Sequence, residues 1–175
     1  MAETSYNPFK ELAKEAEFQT QEKLLEVKKK NHGLQIGIPK EISYQENRVP
    51  LSPLTVQLLV NNGNELIIES NAGLGANFTD IEYANAGAII AQTPQEVYKA
   101  EIILKVAPPT ETEIGYLKPN QILISALQLT NISEEFILQL MNKKIIAIGY
   151  EFFRDYSGAL PIIRAMSEIA GRASV

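Results

Sequence analysis

A guanidinium set just past the end of a buried strand can clamp a carboxylate through paired charge-assisted hydrogen bonds, and Arg48, in Gln45-Glu-Asn-Arg48-Val, has such a place. An arginine in a polar loop also reads as a surface residue. Glu151, after the apolar run Ile145-Ile-Ala-Ile-Gly-Tyr150, is a carboxylate able to orient Arg48 or to accept an ammonium group; a solvated or helix-capping glutamate is the other reading. Lys105, inside Glu101-Ile-Ile-Leu-Lys-Val106, is an amine on a strand, and equally a lysine at a sheet edge.

Histidine acid/base chemistry is nearly excluded by composition, because the one histidine, His32, lies in Lys-Asn-His-Gly and reads as a solvated linker residue. The chain holds no cysteine, which removes disulfides, thiolate metal sites and thiol nucleophiles, and no metal site is expected. With 21 acidic against 16 basic side chains the net charge is −5, so nothing attracts a phosphate backbone or an anionic lipid surface. Nucleic acid and direct membrane insertion are disfavoured, and the start of the chain lacks the apolar centre of a signal peptide. A cytoplasmic setting fits.

These side chains need a scaffold, and the alternation of β-rich runs with capped helical segments from residue 34 onward supplies one. The runs are Leu34–Ile38, Glu65–Glu69, Ala88–Ala91, Glu101–Val106, Gln121–Leu127 and Lys144–Tyr150. Helix starts are marked by Ser52-Pro53, Thr79-Asp-Ile-Glu82, Thr93-Pro-Gln-Glu96, Thr110-Glu-Thr-Glu113 and Ser133-Glu-Glu135, and Asn62-Gly63 closes the first helix. The pattern predicts an α/β fold of three layers: a mostly parallel sheet of about six strands with helices on both faces, Rossmann- or flavodoxin-like. Near-continuous apolar strands fit coverage on both sides, and ligands then bind at the carboxyl ends of the strands.

Residues 5–30 read as a separate helix with a thin apolar stripe through Phe9, Leu12, Ala16, Leu24 and Val27. The expected division is a helical extension over 1–32 and one domain over 33–175, whose last helix stops without a cap, as in a chain cut within an interdomain helix. Thin or uncovered helices favour a homo-oligomer. The pair Gly73 and Gly75 follows a strand but lacks G-x-G-x-x-G spacing, and is expected to form a structural turn.

Ile36-Gly-Ile-Pro-Lys-Glu41 followed by Glu46-Asn-Arg48-Val-Pro-Leu-Ser-Pro53 resembles the opening signature of the alanine dehydrogenase and pyridine nucleotide transhydrogenase family. Asn71-Ala-Gly-Leu-Gly75, Tyr83-Ala-Asn-Ala-Gly-Ala88, Glu101–Val106, Tyr150-Glu151 and Met166-Ser-Glu-Ile-Ala-Gly-Arg172 continue the likeness in family order. The resemblance implies the amino-terminal, substrate-side domain of an NAD-dependent oxidoreductase that interconverts L-alanine and pyruvate. Arg48 would hold the carboxylate, and Met166 and Ser167 would lie against the cofactor. NAD would be bound mainly by a domain outside this chain, which alone would be inert.

Two positions depart from the dehydrogenase pattern. A lysine is expected where Ala107 stands, and a catalytic histidine where Gln128 stands. Gln128 can orient a carbonyl or amino group but cannot shuttle a proton. Lys105, two residues before Ala107 and ~7 Å away along the strand, is a candidate substitute for the lost amine. Transhydrogenase subunits also lack this lysine and histidine, so a transhydrogenase α-subunit domain is one alternative; its nicotinamide-contacting glutamine would fall near Gly158. A non-catalytic binding or assembly module is the other.

Overall fold

The computed structural model describes residues 33–129 and 132–174. His32 and the expected helix over 5–30 lie outside the described residues. Six strands form the sheet: β1 (Gln35–Ile38), β2 (Glu65–Glu69), β3 (Ile89–Ala91), β4 (Ile102–Leu104), β5 (Ile122–Ser125) and β6 (Ile146–Gly149). All five pairings are parallel and the order is β3-β2-β1-β4-β5-β6. This is the doubly wound arrangement, in which the chain switches direction between the first and fourth strands and opens a crevice at their carboxyl ends.

Helices α1 (Pro53–Asn61), α2 (Asp80–Asn85), α3 (Pro94–Val97), α4 (Glu111–Tyr116) and α5 (Glu134–Asn142) fill the five crossovers, and α6 (Pro161–Ala173) follows β6. Their starts are chemically specified. Ser52 Oγ accepts the Thr55 N–H beneath Pro53, and Thr79 and Glu82 form a reciprocal capping box. Gly63, at φ +87°, lets the chain leave α1 in a conformation that a Cβ would resist.

Alternate residues of β2 divide between two cores, which places helices on both faces. Leu66 and Ile68 join Ile38, Val56 and Tyr83 on one side, whereas Ile67 packs against the cluster that contains Ile103, Ile114, Leu123 and Leu140 on the other. β4 and β5 are shorter than the apolar runs that contain them. Val106, Ala107 and Leu127 are buried in loops beyond the last strand residues, so their hydrophobicity reports burial rather than ladder pairing.

Candidate functional site

The crevice at the switch point is built by the loops that follow β1 and β4. Glu41, three residues past β1, uses both of its oxygens there: Oε1 accepts the Val106 N–H at 2.6 Å and Oε2 accepts Lys105 Nζ at 3.1 Å. One carboxylate thus ties the β1 loop to the segment that carries Ala107.

Lys105 lies at the centre of the sheet, since β4 runs between β1 and β5, and the sheet-edge alternative gives way to this placement. Its side chain is 0% exposed, and its ammonium also donates to Glu113 Oε1 at 2.6 Å. Glu113 is at the same time the capping-box residue of α4, its other oxygen accepting the Thr110 N–H at 2.8 Å. Tyr98 adds a hydroxyl donor to Glu113 Oε1, and burial first, then this carboxylate, pushes the Tyr98 phenol well above its ordinary range. The ammonium of Lys105 is therefore held between two buried carboxylates. Its charge is engaged below the crevice by Glu41 and Glu113.

Arg48 stands above Glu41 in a cavity of about 250 Å³, whose wall includes Lys40, Glu41, Glu46 and Arg48 on one loop and Asn71, Leu74 and Gly75 on another. The Gly73–Gly75 segment is a turn, as expected, and it also forms this wall. A Cβ on Gly75 would lie 2.7 Å from the Asn47 carbonyl, so only glycine permits so close an approach to the residue before Arg48.

The guanidinium is not oriented by Glu151. Glu46 holds it instead: Oε1 accepts Arg48 Nε at 2.7 Å and the Arg48 backbone N–H at 2.9 Å, and Oε2 pairs with Nη2. This hydrogen bonding with Arg48 holds the Glu46 carboxyl below the usual carboxylate range and raises the guanidinium correspondingly. Arg48 Nη1 points to Met166 Sδ, 3.9 Å away on α6. The residue expected against the substrate and the one expected against the cofactor are therefore neighbours, and Ser167 is the next residue along that helix.

Glu151 lies in the 3₁₀ turn Tyr150–Phe152 after β6, and its Oε1 accepts the backbone N–H groups of Leu127 at 2.8 Å and Gln128 at 2.9 Å. Gln128 has φ +48°, a left-handed conformation disfavoured for a residue with a Cβ, and the two N–H bonds hold it there. Glu151 Oε2 is buried with no protein partner. Between the two groups lies Tyr150, whose hydroxyl donates to the Val106 carbonyl at 2.7 Å and whose phenol is raised chiefly by burial.

Glu41 and Glu46 stand inside the opening signature, but their roles at the site were missed. Glu46 lies in a polar loop without periodicity, and Glu41 meets Lys105 across 64 positions of sequence. Among the described residues no cluster of three or more histidine, cysteine or acidic side chains is arranged to hold a metal ion, and no helix is long and apolar enough to cross a membrane.

The profile described as "Alanine dehydrogenase/PNT, N-terminal domain" matches residues 37–170, most of the chain. The chain belongs to this family. It is 43% identical over 139 residues to an alanine dehydrogenase of Staphylococcus saprophyticus subsp. saprophyticus, covering 79% of this chain and 37% of that protein. Alanine dehydrogenase 2 of Staphylococcus aureus is 40% identical over 141 residues, 81% of this chain and 38% of its own length. Among solved structures, an L-alanine dehydrogenase superposes with a TM-score of 0.78 at 39% identity, covering 81% of this chain and 39% of that one. A transhydrogenase from Sinorhizobium meliloti gives 0.62 at 30% identity, covering 67% and 35%. The chain thus spans less than two fifths of the length of these curated relatives.

Proposed function

We propose that this chain is the substrate-side domain of an NAD-dependent oxidoreductase of the alanine dehydrogenase type, a cytoplasmic protein that acts on a small 2-amino or 2-oxo acid such as alanine or pyruvate. The observation that carries the proposal is Arg48: a half-exposed guanidinium, already aimed by Glu46, at the mouth of a cavity large enough for a three-carbon acid. The acid's carboxylate lies on Arg48, where charge-assisted hydrogen bonds fix its orientation. Gln128 takes the 2-oxo or 2-amino substituent, and Glu151 fixes the Gln128 backbone for that contact by accepting its N–H.

The dinucleotide itself does not fit these residues. The β1 loop is Pro39-Lys40-Glu41 rather than a glycine cradle, and the buried Glu41 carboxylate stands where a pyrophosphate would need N–H donors. We therefore assign NAD to a region outside the described residues, with only Met166 and Ser167 reaching its edge. A homo-oligomer fits α6, which has no fully buried residue and carries Ile163, Met166 and Ile169 exposed at helical spacing.

A second reading, favoured by Ala107 and Gln128 and by the likeness to a transhydrogenase structure, gives the domain no amino-acid substrate. Crystals soaked with pyruvate separate the two. Carboxylate density on Arg48 supports the oxidoreductase reading, and an unliganded Arg48 at saturating pyruvate supports the other.

A further inference from the structure

We propose that Glu46 is a positioning residue that closes one edge of Arg48, so that an anion can be received only on the opposite end of the guanidinium, the end beside Met166. A guanidinium offers a side edge, Nε with Nη2, and an end edge, Nη1 with the second proton of Nη2. Glu46 takes the side edge with both oxygens and also accepts the Arg48 backbone N–H, so three donors of one residue converge on one carboxylate. The Glu46 side chain is only 11% exposed, against 52% for Arg48, which makes it the fixed member of the pair and the arginine the presented one.

The remaining edge faces α6, with Nη1 at 3.9 Å from the sulfur of Met166. A carboxylate bound there displaces a weak sulfur contact rather than a carboxylate, and its bound pose brings it against Met166. Two rotational poses of the guanidinium are reduced to one, which lowers the ordering cost of binding. The opposite role, an internal carboxylate competing with the ligand for the same donors, would need Glu46 on the end edge.

The clamp itself is independent of the proposed substrate, whereas its effect on binding rests on the oxidoreductase reading, and one set of spectra separates the two. Arginine-labelled ¹⁵N spectra of the 175-residue chain should show an Arg48 Nε–H that exchanges slowly with water and Nη groups that do not average, with or without pyruvate. In Glu46→Gln these features collapse, and pyruvate binds about tenfold or more weakly, as expected when a charge-assisted contact is lost. Glu46→Asp, which keeps the charge but not the reach, behaves like the glutamine variant. Averaged Nη signals in the unaltered chain, or tighter pyruvate binding in Glu46→Gln, would overturn the inference. A persistent clamp with no pyruvate binding would leave it standing and defeat the substrate assignment alone.

Discussion

The sulfur of Met166 lies 3.9 Å from Nη1 of Arg48, although 118 positions separate them in sequence. This contact brings α6 over the carboxyl end of β1, so that the arginine of the first loop and the helix after the sixth strand form one side of the crevice. Glu41 and Tyr150 knit the underside, each bonded to the backbone of Val106. The floor of the crevice is thus hydrogen-bonded across its loops, while Arg48 above it stays half-exposed.

Removing the buried ammonium tests the underside. Lys105→Met leaves Glu41 and Glu113 buried together without a counter-charge, which should cost about 3–5 kcal/mol of stability. Urea unfolding reads this directly, and a loss below 1 kcal/mol would mean that the cluster is not the structural tie described.

The turn opposite Arg48 gives a change confined to the site. Gly75→Ala places a methyl 2.7 Å from the Asn47 carbonyl and must displace the loop before Arg48. Pyruvate binding should weaken, and the clash with the Asn47 backbone should cost about 1–3 kcal/mol of unfolding free energy; unchanged binding and stability would contradict this close approach.

Glu151 holds two N–H groups with one oxygen. In Glu151→Ala, amide hydrogen exchange at Leu127 and Gln128 should accelerate by about tenfold or more, because the left-handed turn at Gln128 loses its anchor. Unchanged protection at both amides would contradict this.

Two titrations set opposite ends of the pH range. Tyr83 is buried, donates to the Leu51 carbonyl at 2.8 Å, and has its phenol pushed up to about 12, chiefly by burial. A raised folded value means that its contribution is whole below the ordinary tyrosine range, near ~10, and is lost as pH rises toward 12. Glu46 has the opposite sign: its lowered value gives a contribution present above the ordinary glutamate range, ~4.3, and lost as pH falls further. Tyr83→Phe should shrink the alkaline loss of stability, to which the raised Tyr98 and Tyr150 phenols also contribute, and Glu46→Gln should shrink the acidic loss, shared with Glu82 and Asp155; an unchanged pH profile in either variant would contradict this.

The scaffold was legible because its signals are local. Ser52-Pro53, Thr79 with Glu82 and Thr110 with Glu113 start their helices as capping chemistry requires, and β2 matches its expected bounds because Asn-Gly and Asn-Ala turns bracket it. Arg48 was singled out by its place after β1 together with the family signature, and the structure puts it on the wall of a cavity. The roles of Lys105 and Glu113 were not legible, since a strand lysine and a capping glutamate carry no mark of their pairing. Gln128 was expected just past β5, but its backbone anchor, Glu151, lies 23 positions away and carries no local mark.

The most direct test is calorimetric titration of the chain with pyruvate, beside Arg48→Lys at the same pH and ionic strength. Saturable one-site binding that weakens by about tenfold or more with lysine, whose point charge cannot reproduce the fork, is the predicted result. Equal affinity in both proteins, or no binding by the unaltered chain, would contradict the assignment of Arg48 as the carboxylate anchor.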